Sequence, residues 1–105
     1  MAQEYNKAIR DKIPEVIRAK GLDCEVRQLS DPEFLAELER KLDEEVQEFR
    51  ASKTAEELVD IVEVAYRIAE LRGVDKSNFD KIRGKKIEDR GAFAKNLFLV
   101  KTYQE

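Results

Sequence analysis

Residues 30–72 read SDPEFLAELERKLDEEVQEFRASKTAEELVDIVEVAYRIAELR, two helical apolar patterns separated by the short break Ser52-Lys53. Ser30-Asp31-Pro32-Glu33 is a helix-start signal, with Asp31 as the expected cap and Pro32 at the first helical position. The helix it opens runs to about Ala51. Thr54 and Glu57 have the spacing of a capping box, which starts a second long helix ending near Arg72, ahead of Gly73. So short a turn makes the two helices antiparallel neighbours.

An α-helix advances about 100° per residue, so each side chain can be placed around its axis. With Glu45 at zero, Phe34, Leu38, Phe49, Leu42, Leu35 and Val46 occupy an arc from about −20° to about +100°. Glu45 thus lies inside the apolar arc, Glu48 about 60° to the side of Glu45 and beyond the arc's edge, and Glu44 on the polar side with Glu37. The next helix repeats the arrangement. With Glu57 at zero, Val64, Ile68, Ile61, Ala65, Leu58, Ala69 and Val62 run from about −20° to about +140°, and Asp60 sits about 60° to the side. Each helix therefore aims one acid inward and holds a second at the edge of the buried face. Carboxylates pointing into a core repel one another and are costly without a partner. A divalent cation removes that cost, so Glu45, Glu48, Glu57 and Asp60 form a candidate metal site.

Composition narrows the chemistry. The 105-residue chain has no histidine and a single cysteine, Cys24. Zinc sites, serine–histidine relays and an intramolecular disulfide are thereby excluded. A catalytic metal must rest on carboxylates, which favours magnesium, with manganese the alternative. The formal net charge is −3, with acids and bases interleaved, unlike the basic face of a nucleic-acid binder. No apolar leader opens the chain and no stretch approaches a membrane span, so a cytoplasmic protein is expected.

Outward from the hairpin, Asp11 is placed to cap a short first helix with Pro14 in its first turn and Gly21 at its end. Leu22, Cys24 and Val26 alternate with Asp23, Glu25 and Arg27, the pattern of a half-buried strand over 22–29. A fourth helix is expected over Ser77–Arg90, stopping at Gly91, and residues 96–102 read as a closing strand that pairs with the first. The expectation is a single domain over 1–105: mostly α, a four-helix bundle with a small two-stranded β element.

At its acids the chain resembles the MazG-like all-α nucleotide pyrophosphohydrolases, including the compact phosphoribosyl-ATP pyrophosphohydrolase-like branch. The pattern Glu-Glu-x-x-Glu followed by Glu-x-x-Asp stands here as Glu44-Glu45-Val46-Gln47-Glu48 and Glu57-Leu58-Val59-Asp60. Tyr5-Asn6-Lys7-Ala8-Ile9-Arg10-Asp11-Lys12-Ile13-Pro14-Glu15 resembles the opening of that branch, and Glu88-Asp89-Arg90-Gly91-Ala92-Phe93-Ala94-Lys95 its C-terminal segment. Ala92 and Asn96 depart from it, standing where glycines are expected, and the spacer between Glu48 and Glu57 is short.

The resemblance implies hydrolysis of a nucleoside triphosphate between the α- and β-phosphates, with metal ligation by Glu45, Glu48, Glu57 and Asp60. Glu44 completes the candidate catalytic set, and which acid serves as base stays open. Arg10, Lys12, Lys86, Arg90 and Lys95 are each ordinary surface charge alone; together, at family-matching positions, they form a candidate phosphate clamp. Two other readings stand beside housecleaning hydrolysis: phosphoribosyl-ATP hydrolysis in histidine synthesis, and a non-catalytic helical partner-binding module. The second long helix is apolar over about two-thirds of its circumference, so a homodimer or higher homo-oligomer is expected.

Overall fold

A computed structural model describes residues 2–104. Four helices follow in order: α1 (Ile13–Ala19), α2 (Asp31–Ser52), α3 (Ala55–Leu71) and α4 (Lys76–Arg90). The all-α expectation holds. Close helix packing is confined to α2 against α3 and α3 against α4, so within one copy the helices do not close into a four-helix bundle.

Cap chemistry sets where the long helices begin. Ser30, not Asp31, caps α2: its hydroxyl accepts the Glu33 N–H at 3.3 Å, while the Ser30 N–H donates to Glu33 Oε1 at 3.2 Å. Asp31 and Pro32 follow as the first helical residues. The α2–α3 turn passes through Lys53 in the left-handed region (φ 58°), whose N–H reaches back to the Phe49 carbonyl at 2.7 Å. Thr54 occupies the N-cap of α3 but makes no side-chain cap bond. Its hydroxyl instead lies 3.2 Å from the Ser52 hydroxyl. The expected capping box is therefore absent, which leaves Glu57 available to α2. Nor does Asp11 cap α1, whose N-cap is Lys12 with no side-chain bond. Pro14 alone marks that start, its fixed φ suiting the first turn.

Asp75 caps α4 by accepting the Asn78 N–H at 2.9 Å. The α3–α4 corner is tied by Tyr66, whose hydroxyl donates to Asp80 at 2.7 Å and whose ring meets Phe79 edge-on at 5.1 Å. Gly73 (φ 94°) makes the corner possible, since a side chain there would be strained.

The core is small. Ala8, Leu38 and Val64 are its buried apolar residues, with Phe34, Leu42, Ile68 and Leu71 packed around them. Ala8 belongs to the N-terminal segment, which thereby lies against the α2–α3 hairpin. The expected two-stranded element is not formed: residues 22–29 and 96–102 carry no strand. Among the described residues, no backbone-to-backbone hydrogen bond engages 23–29 or 92–104. Alternation specifies a surface to be half-covered, but it does not supply the partner strand. The radius of gyration is 18.4 Å and the extents 67 × 32 × 22 Å, whereas a compact domain of this length has a radius of about 13 Å.

Candidate metal centre

The α2–α3 hairpin does what the helical angles require: it brings both inward acids to the same place. Glu45 is only 5% exposed, the one charged residue among the fully buried ones described. Glu57 is half-buried opposite it on α3. Carboxylate oxygens of Glu45, Glu57 and Asp60 lie within 4.8 Å of one another, as do those of Glu44, Glu45 and Glu48. Glu45 belongs to both groups and joins the acids of the two helices.

Two cations are engaged with these acids at short range. Lys41, one turn before Glu45 on α2, places Nζ 3.4 Å from Glu45 Oε1. Arg10 donates to Asp60 Oδ1 at 2.6 Å. A third, Lys7, stands 3.7 Å from Glu44. The other oxygens go unmet: Oε2 of Glu45 and Oε2 of Glu57 are both buried and have no hydrogen-bond partner. Buried acceptors left in this state are rare and call for an explanation such as an ion.

The electrostatics agree with that crowding. The Glu57 carboxyl is pushed up to about 7, first by the hydrogen bond a protonated Glu57 makes with Glu45. Loss of water and the charges of Glu48 and Glu45 push it the same way. Without a proton the two carboxylates are an unsatisfied pair; with one they can share it. A divalent cation would relieve the same repulsion. The residues present fit such an ion: four hard oxygen donors from two rigid helices, two of them carrying orphaned buried oxygens.

The candidate phosphate clamp divides. Arg10 is at the acids, bound to Asp60. Lys12 is exposed at the start of α1. Lys86 and Arg90 lie along α4 beside Lys81, Lys85 and Asp89, and Lys95 is exposed in the turn beyond. Among the described residues no hydrogen bond or ion pair links Lys86, Arg90 or Lys95 to the acids. The structure instead brings forward Lys7 and Lys41, which the sequence reading passed over. Both line a cleft beside Glu44 together with Tyr5, Asn6 and Arg40. The i,i+4 spacing of Lys41 and Glu45 was a usable signal for one of them.

Against known proteins, no family model matches the chain, and no solved structure matches it. The chain is 56% identical over 46 residues to an uncharacterized protein of Mycolicibacterium smegmatis (strain ATCC 700084 / mc(2)155). That match takes in 44% of this chain and spans about half, 47%, of the relative.

Proposed function

We propose that this chain is a magnesium-dependent nucleotide pyrophosphohydrolase of MazG-like type, cleaving a nucleoside triphosphate between its α- and β-phosphates. One observation carries the reading: Glu45 and Glu57, each with a buried unpartnered oxygen, bring carboxylate oxygens within 4.8 Å of each other inside the hairpin, with Asp60 and, on the same helix as Glu45, Glu48 in the cluster. Glu45, Glu48, Glu57 and Asp60 would hold the metal, and manganese would suit the same donors. The bound ion supplies charge neutralisation for the phosphates and acidifies water.

The chain's own groups account for the rest. Glu44 is the acid of the cluster outside the metal-binding four. Paired loosely with Lys7, it is placed to accept a proton from an attacking water. Arg10 exchanges its bond to Asp60 for a phosphate oxygen, a bidentate partner matched to guanidinium geometry. Lys7 and Lys41 add positive charge beside the cleft and Lys12 near its approach; Lys86, Arg90 and Lys95 meet the substrate only from another copy or after movement of α4.

Part of α3 supports a homodimer. Leu58, Val59 and Val62 are exposed at 46%, 62% and 53%, an apolar strip on a helix already packed on α2 and α4. The same strip favours the rival reading, a helical partner-binding module without catalysis. Among the described residues, no helix is long and apolar enough to cross a membrane.

Pyrophosphate release is the test. Purified protein with magnesium, offered a panel of ribo- and deoxyribonucleoside triphosphates and phosphoribosyl-ATP, should yield a monophosphate and pyrophosphate from at least one. Release from phosphoribosyl-ATP alone would assign the protein to histidine synthesis. No release from any of them would leave the binding module as the better reading.

A further inference from the structure

The C-terminal arm of the chain is apolar and uncovered. Phe93 is 99% exposed, Phe98 88% and Leu97 87%, and Leu99, Val100 and Tyr103 are little better covered. Water is a poor environment for such a run, and its backbone makes no internal hydrogen bonds among the described residues. The shortfall extends to the whole molecule. A folded monomer of 12.2 kDa exposes roughly 6,100 Å², whereas this chain exposes 9863 Å². The difference exceeds the roughly 800 Å² that each partner buries in an ordinary stable complex.

We infer that the arm over residues 96–103 is exchanged between two copies of this chain, adding as a β-strand to the segment 22–29 of the other copy. Three observations single out a second copy as the occupant. The complement is present on the chain itself, because 23–29 is a second segment without secondary structure or backbone partners among the described residues, and Leu22 just before it and Val26 at its middle are exposed. The arm contributes Lys101, preceded by Lys95, while the receiving segment carries Glu25 and Asp23, the latter already paired with Arg18, against one base, Arg27, so the balance of charge between the two segments is complementary. The area left uncovered is that of an obligate dimer, and the exposed strip on α3 adds apolar surface to the same association.

Reciprocal exchange closes on itself, each copy giving one arm and receiving one, which leaves no open end to propagate. Pairing within one copy would make the same two-stranded ribbon, marginal by itself in water, but would leave the α3 strip bare, whereas exchange brings that strip into the same association. The exchange does not depend on catalysis, so a failed activity assay leaves it standing.

Cys24, the single thiol, lies in the receiving segment and makes the test direct. The full-length chain is co-expressed with a differently tagged copy carrying Cys24→Ser and one of Leu97→Cys, Phe98→Cys, Leu99→Cys or Val100→Cys. After mild oxidation, disulfide-linked heterodimer should form at alternate arm positions, several-fold above a Cys24→Ser/Ser77→Cys control. Alternation with a period of two is the signature of strand pairing. Light scattering on the unmodified protein should give twice the 12.2 kDa chain mass. Three results would each overturn the exchange: a monomer at micromolar concentration, heterodimer no more abundant than the control at every arm position, or an intramolecular disulfide in a chain carrying both Cys24 and Leu99→Cys. The light-scattering result needs no substitution and stands even if a variant misfolds.

Discussion

Arg10 and Asp60 are joined by a 2.6 Å hydrogen bond although fifty residues separate them in the chain. Arg10 comes from the N-terminal segment just before α1, and Asp60 from the edge of the buried face of α3. Both groups remain partly exposed, with side-chain accessibilities of 49% and 36%. A pair so exposed contributes about 0–1 kcal/mol to stability. On the proposed function its value lies in position: the guanidinium stands beside Asp60, one of the four acids that would hold the metal, within the acid cluster a phosphate would approach.

Replacing Arg10 should therefore separate binding from folding. Arg10→Ala is expected to lower Tm by only a few degrees at most, in line with the small worth of the pair. The same change should lower kcat/KM for triphosphate about 10- to 100-fold, the loss of a charge-assisted phosphate contact of roughly 1.5–3 kcal/mol. Arg10→Lys should recover part of it, since charge returns without the bidentate fork. Equal losses of stability and activity in Arg10→Ala would contradict a phosphate role.

Glu57→Gln should make metal-free protein at least as stable as the unaltered chain at neutral pH. Among the described residues no cation pairs with Glu57, and the substitution ends its repulsion with Glu45 and Glu48. Glu45→Gln is less favourable, because it also strips Lys41 of its 3.4 Å partner. In both variants the rise in Tm produced by magnesium should shrink together with pyrophosphate release, since one lost ligand serves both. Glu44→Gln should keep the magnesium response and lose turnover if Glu44 is the base. A full magnesium response in Glu45→Gln and Glu57→Gln would remove those residues from the ligand set.

The hairpin was legible in the sequence because helical periodicity is local and strong. The angular positions of Glu45 and Glu57 relative to Leu38 and Val64 needed only the geometry of a helix. Cap identities were less legible, because Ser30 and Asp31 are both good caps and adjacent; only the backbone shows which hydroxyl or carboxylate meets Glu33. Thr54 and Glu57 fit the capping-box pattern, but Glu57 turns to α2 instead, a long-range choice that a four-residue pattern cannot contain. The strand reading of 22–29 and 96–102 failed within one copy for a related reason. Alternation in Leu22, Cys24 and Val26 encodes a demand for cover, while the strand that meets it lies outside the local pattern. Lys7 was missed because its role arises where the N-terminal segment reaches the acids, and no spacing within that segment signals it.

The caps supply a prediction of their own. Ser30→Ala removes a reciprocal box and should cost about 1 kcal/mol, visible as a fall in Tm of several degrees. Thr54→Ala removes no cap bond and only the contact with the Ser52 hydroxyl, so it should cost less than about 0.5 kcal/mol. Equilibrium denaturation of the two variants side by side gives the comparison. A larger loss for Thr54→Ala than for Ser30→Ala would restore the capping box at α3 and contradict the orientation of Glu57.

The pH dependence of stability should carry the mark of Glu57. Its carboxyl titrates near 7 in the folded chain, against 4.5 for the ordinary group. The folded state thus holds this proton more tightly than the unfolded state does. The resulting stabilisation is fully present below about 4.5 and is lost as pH rises through about 7. Asp23 and Glu33, whose carboxyls are held below their ordinary values, act in the opposite sense and lose their contribution only in acid. The informative quantity is therefore the difference between the unaltered protein and Glu57→Gln, followed from pH 5 to pH 8 in metal-free buffer. Relative to the variant, the unaltered protein should weaken across that interval, and the difference should level off above pH 8. Magnesium should reverse the trend, because ligand carboxylates must shed their protons before they bind. A difference that stays flat with pH in metal-free buffer would mean that Glu57 is already ionised across the range. The close Glu45–Glu57 pair would then have to be held by some other group.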